Sequence, residues 1–224
     1  MNNILKNGFA ASLLAATVFT ARAQGTYDSG SLLGGNIPDN GSPTLFGHSI
    51  AGSGITSISQ VQVQLTLTGN PVGQGWAGDI FASLNYNYGS QTAVLLNQPG
   101  VSGGNPAGFG FDGWTVTFLD GAANGDIHLG QPTVPNTILT GIWEPDGRLN
   151  ATDNARPGLL NVFNGLPADG SWTLTLSDLS PGGTMTLNSW SIQMVGVPEP
   201  SSTVLVLGGL IILATARRRW LASR

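Results

Sequence analysis

From Tyr27 to Val195 apolar residues recur at every second position, the spacing of strands that bury one face. Val61, Val63, Leu65 and Leu67 alternate with Gln60, Gln62, Gln64, Thr66 and Thr68. Ile80, Ala82, Leu84 and Tyr86 repeat the pattern, and after Gly89 the run from Ala93 to Leu96 supplies a further strand. Trp114, Val116 and Phe118 alternate with Thr115 and Thr117; Trp172, Leu174 and Leu176 alternate with Thr173, Thr175 and Ser177. The final strand breaks phase, because Met185 and Leu187 share one parity while Trp190, Ile192 and Met194 take the other. A bulge near Asn188-Ser189 would return both sets to one face. Ahead of it, Asp178 to Gly183 reads as a hairpin loop turned by Pro181-Gly182-Gly183. Several short strands at this spacing predict an all-β fold, a jelly-roll-like β-sandwich.

Only the two ends depart from this pattern. Lys6, the apolar run from Gly8 to Thr20 and the small-x-small triplet Ala21-Arg22-Ala23 form the three parts of a secretory signal. Cleavage after Ala23 by signal peptidase leaves Gln24 first, with residues 24–35 as a leader and 36–196 as the sandwich. At the other end, Val197-Pro198-Glu199-Pro200 precedes Ser201-Ser202, an apolar stretch from Thr203 to Ala216 and Arg217-Arg218-Arg219. A helix over residues 201–216 would be about 24 Å long at ~1.5 Å per residue, short of a hydrocarbon core of roughly 30 Å. Snorkelling arginines and local thinning cover that deficit, and the basic cluster predicts a cytoplasmic end with the sandwich outside. This tail resembles the PEP-CTERM sorting signal. The resemblance implies a transmembrane sorting helix, recognition by an exosortase-type membrane enzyme, cleavage near Pro198-Glu199-Pro200 and delivery to the surface of a Gram-negative cell, commonly alongside exopolysaccharide.

Composition narrows the function classes. Charged residues make up 9% of the chain, against about 25% in an ordinary globular protein. Between Gln24 and Gly196 the cations are Arg148 and Arg156 alone, too few to track phosphates, so nucleic acid is excluded as a partner. With no cysteine there is no disulfide framework, thiolate metal site or cysteine nucleophile. Abundant Gly, Asn and Pro fall in long loops, notably residues 97–110, 119–135 and 144–158, and loops on a rigid scaffold are where binding resides.

A second resemblance rests on Ile37-Pro38-Asp39-Asn40, Gly78-Asp79-Ile80, Phe163-Asn164-Gly165, Gly170-Ser171-Trp172-Thr173-Leu174 with Asp178, and Gly183, Leu187 and Asn188-Ser189-Trp190 with Ile192. In order and spacing these segments resemble the P domain (P/Homo B domain) that follows the catalytic domain of proprotein convertases and some bacterial subtilisin-like proteases. It spans about Asn36 to Val195 and is most specific from Phe163 onward. The resemblance implies a jelly roll that stabilises and tunes a protease, here a separately encoded one.

Candidate chemistry is sparse. Gly47-His48-Ser49 lacks the glycine spacing and the following helix of a nucleophile elbow. His128, beside Asp126, has no second histidine near it for a metal. Asp39, Asp79 and Asp178 stand at strand ends among turn residues, where they either cap turns or supply oxygens to Ca²⁺. Glu144, Asp146 and Asp153 cluster in a loop without EF-hand spacing. Trp76, Tyr86, Tyr88, Trp114 and Trp143 are candidates for a sugar platform, with Trp76 and Trp143, read as loop residues, the exposed pair; Trp172 and Trp190 belong to the core. The leading expectation is a non-catalytic, surface-sorted module in a structural, adhesive or matrix-associated role. The alternatives are an accessory binding a subtilisin-like protease and a module binding extracellular polysaccharide.

Overall fold

The alternation closes into two facing sheets in the computed structural model, which describes residues 25–197 apart from 88 and 135. The expected signal with Ala21 and Ala23, the Pro198-Glu199-Pro200 motif with its apolar span, and Tyr88 lie outside the described residues. The strands are β1 (Thr26–Asp28), β2 (Leu32–Ile37), β3 (Thr44–Ile50), β4 (Ile58–Gly69), β5 (Ile80–Tyr86), β6 (Gln91–Asn97), β7 (Gly113–Phe118), β8 (Leu139–Trp143), β9 (Gly170–Asp178) and β10 (Met185–Gly196). One sheet runs β1-β10-β4-β7-β8, with β2 also pairing β10; the other runs β3-β9-β5-β6. All pairings are antiparallel except β7 with β8. Among the described residues the helical elements are short 3₁₀ turns, and no helix is long and apolar enough to cross a membrane.

The inward rows are those the alternation named. Val61, Val63, Leu65 and Leu67 of β4 face Trp172, Leu174 and Leu176 of the opposite sheet within one cluster, all buried. Burying each such side chain contributes roughly 1.5–3 kcal/mol, which is how a chain without disulfides holds together. The β10 register shifts between Leu187 and Ser189. That bulge puts Met185 and Leu187 on the same buried face as Trp190, Ile192 and Met194.

Two expectations need correction. Asp178 pairs with Ile80 in one sheet, whereas Met185 pairs with Gly69 in the other. The segment between them is therefore a crossover from sheet to sheet, not a hairpin, and Gly182 and Gly183 take φ of 94° and 78° to make the corner. The sandwich also begins ahead of Asn36, because β1 and β2 lie successively along the free edge of β10. Glycines hide β2 from a periodicity reading. A Cβ on Gly34 would sit 2.0 Å from the Leu187 carbonyl oxygen, so the approach of β2 to the bulge requires its absence.

Candidate functional site

Antiparallel pairing of β5 with β9 sets Ile80 opposite Asp178 and so brings Asp79 to the end of β9. The crossover returns over the same end, and Asp39, from the β2–β3 turn, accepts the Gly182 N–H with both oxygens at 2.9 and 3.1 Å. Three aspartates picked out along the sequence thus share one pole. Asp178 continues the inward row of Trp172, Leu174 and Leu176 and is 1% exposed. Its Oδ1 accepts the Ser180 N–H at 3.4 Å, while its buried Oδ2 has no hydrogen-bond partner.

Charge accumulates there. Burial, reinforced by the charges of Asp79 and Asp39 and opposed by the Ser180 N–H, pushes the Asp178 carboxyl up to about 6. Asp79 is raised as well, first by burial and then by Asp39, against a lowering hydrogen bond from the Ser180 side chain. The donor set is all oxygen and anionic, which suits a hard cation such as Ca²⁺, and the orphaned Oδ2 is a lone pair that burial has cost its water. Among the described residues, however, no group of three or more acidic or histidine side chains already converges on one point to hold a metal. Asp39 acts as a turn cap, its two oxygens sharing the Gly182 N–H.

A cavity of about 480 Å³ opens beside the trio, lined among others by Gln74, Trp76, Asp79, Gln98 and Ser180. Trp76 is 39% exposed, its Nε1 donates to the Ala107 carbonyl at 2.7 Å, and its ring lies over Gly110. Trp143 is not a loop residue. It ends β8, pairs with Phe118 and packs partly buried against the core and Gly130. Trp76 adjoins Gly75, which bonds Asp112 just before β7, while Trp143 faces the last residue of β7. The two indoles therefore stand at opposite ends of that strand and form no common platform. Tyr86 and Trp114 are buried core residues, as are Trp172 and Trp190.

The long loops hold an ionic hub built on the acidic cluster of Glu144, Asp146 and Asp153. Asp146, fully buried, receives the Asn97 N–H and His128 Nδ1 on Oδ2, and the Arg148 N–H and Nη1 on Oδ1. Arg148 also reaches Asp126 at 2.6 Å, and Arg156 reaches Glu144 at 2.7 Å. Asp153 serves the same loop, its side chain accepting from Asn150 and its carbonyl from Arg148. Both ring nitrogens of His128 face acceptors, so neither is free to ligate a metal. The signal in the sequence was that the sandwich's two arginines fall within one acidic loop. His48 belongs to the inward row of β3 and bonds the Tyr27 hydroxyl at 2.6 Å across the open side of the sandwich. Ser49 is next in the strand and points to the other face.

An all-β protein of two stacked sheets with an acidic pole is the class these features define. No family model and no curated protein matches the chain. Among solved structures, the chain is similar to one in the crystal structure of Aeromonas sobria serine protease (ASP) and the chaperone (ORF2) complex, at 15% identity and a TM-score of 0.40. The match covers 78% of this chain and 27% of that one, so this chain spans about a quarter of its length.

Proposed function

We propose that this protein is an exported, exosortase-sorted, non-catalytic β-sandwich module with a structural or adhesive role outside the cell, and that its acidic pole takes up Ca²⁺. One observation carries the calcium reading: the buried, partnerless Oδ2 of Asp178 lies in the field of Asp79 and Asp39. The ion would meet carboxylate oxygens from three segments and bind the β2–β3 turn, the start of β5 and the crossover to one another. The non-catalytic reading is supported by the use of both histidines as internal hydrogen-bond partners. The P-domain resemblance falls most specifically on β9, the crossover and β10, and agrees with an accessory rather than an enzyme.

Thermal unfolding of the mature domain at pH 7.5, with millimolar Ca²⁺ against EGTA, tests the site. A rise in Tm with Ca²⁺ that is absent in Asp178→Asn and not reproduced by Mg²⁺ is expected; no rise in the native domain would remove calcium from the reading. Mass spectrometry of the protein recovered from cells tests the sorting. Ends at Gln24 and close to Pro198-Glu199-Pro200 are expected, and an uncleaved cytoplasmic product would overturn it.

A further inference from the structure

Three adjoining depressions follow one another along β4 and β10 of the six-stranded sheet. The first segment, about 250 Å³, fills the notch where β1 stops and β2 has not begun, lined by Asp28, Gln64, Ser189, Ser191 and Gln193. A second segment of about 220 Å³ shares Asp28 and Gln193 and runs along Gln60 and Gln62. A third, also about 220 Å³, shares Gln60 and ends against Asp120, Asn161 and Asn164. Strand geometry imposes the order. Gln60, Gln62 and Gln64 are alternate residues of β4, about 6.8 Å apart, and Gln62 and Gln64 stand opposite Gln193 and Ser191 of β10 across roughly 4.8 Å.

The groove joins amides and hydroxyls to two carboxylates, Asp28 and Asp120, and to the side of Tyr27. Gln193 is held by Asp28 at 2.9 Å and Ser191 donates to the Gln64 carbonyl oxygen at 3.3 Å, which leaves the Gln64 amino group unused. Among the described residues the side-chain amides of Gln60 and Gln62 have no protein partner. No cation lines any segment, and both arginines of the described chain are tied into the ionic hub. An anionic polymer would find no counter-charge here. A protein partner would want an apolar, aromatic centre. The large exposed apolar residues of this sheet, Leu33 and Ile142, stand instead on β2 and β8, at its two opposite edges. Amides and hydroxyls that donate and accept at regular intervals, flanked by the carboxylates of Asp28 and Asp120 and by no cation, match a neutral chain of hydroxyl groups.

We propose that this groove binds a neutral polysaccharide lying along β4 and β10, an assignment that rests on the adhesive reading and supplies its ligand class. Affinity gel electrophoresis of the mature domain through galactomannan, xyloglucan and dextran, with alginate as the anionic counterpart, tests it. Retardation by at least one neutral polymer and none by alginate is expected. The triple variant Gln60→Ala/Gln62→Ala/Gln64→Ala, whose side chains are at the surface, should weaken that binding at least tenfold with an unchanged Tm, and Gln62→Lys alone should weaken it in the same direction. Trp76→Ala should leave it intact. The proposal is overturned by no retardation in any neutral polymer, by undiminished binding of the triple variant, or by self-association of the native domain that the triple variant abolishes. Failure here leaves the calcium and processing readouts untouched, so the two readings fall separately.

Discussion

His128 Nδ1 lies 2.7 Å from Asp146 Oδ2 while His128 Nε2 faces the Val101 carbonyl at 3.1 Å, so the ring has an acceptor at each nitrogen and satisfies both when doubly protonated. Burial works against that charge, but the hydrogen bond and charge of Asp146 outweigh it and hold His128 above its ordinary range. Removing Asp146 would strand His128 and Arg148 without their shared anion. Asp146→Ala is expected to cost about 3–5 kcal/mol, measured by urea unfolding.

The same pair gives a pH dependence of defined sign. With its folded pKa raised, His128 contributes fully below its unfolded value of about 6.5, and the contribution is lost as pH rises through the folded value. Urea midpoints of the native domain should therefore fall as pH rises beyond about 6.5, and His128→Gln should lower stability while flattening that part of the profile.

Asp178 behaves in the same direction for a different reason. A carboxyl raised to about 6 by burial and by Asp79 and Asp39 binds its proton better folded than unfolded. Its contribution is present below about 3.9 and lost as pH climbs through about 6. Asp178→Asn should be more stable than the native domain at pH 7.5 in EGTA, by up to about 2–3 kcal/mol. Ca²⁺ should close most of the gap for the native domain alone. A native domain that loses no stability between pH 4.5 and 7 in EGTA would contradict this account.

Two glycines in successive strands of opposite sheets make opposite predictions. A Cβ at Gly34 meets the Leu187 carbonyl oxygen at 2.0 Å, whereas one at Gly47 meets nothing within 4 Å. Gly34→Ala should destabilise by about 1–3 kcal/mol as β2 is forced off the β10 bulge. Gly47→Ala should be neutral or slightly stabilising by thermal unfolding.

Trp143→Ala offers a direct check on the aromatic reading. Because the indole packs on the core and on Gly130 and donates to the Thr140 carbonyl at 3.0 Å, the change should lower Tm by several degrees. Binding of a soluble glycan by the folded fraction should not change.

What could be read from the chain was what a period of two encodes. The rows of β4, β7, β9 and β10 and the bulge at Asn188 were visible because large apolar side chains mark them. β2 was not, since Gly34 and Gly35 interrupt the alternation between Leu32 and Ile37. β8 escaped because Thr140 and Gly141 separate Leu139 from Ile142 and Trp143. The crossover after Asp178 looked like a hairpin because a glycine turn between two strands is locally the same whether its strands pair or face each other. The aspartates of the acidic pole were found one by one from turn chemistry; their convergence depends on β5 pairing with β9, a contact remote in sequence. The ionic hub likewise joins Asp126 to Arg148 and Glu144 to Arg156 through loops with no period to betray them.

The Gly196 N–H donates to the Gly25 carbonyl at 2.7 Å, so the first and last described strands part company at one pole, and β10 runs from there toward the aspartates some 36 Å away at ~3.3 Å per residue. A polymer lodged along the glutamine row and a tail leaving Val197 would then pull on β10 lengthwise. Its bonds to β4 would share that load in shear rather than peel apart one pair at a time, the mechanically stronger way to hang a sheet from a thread.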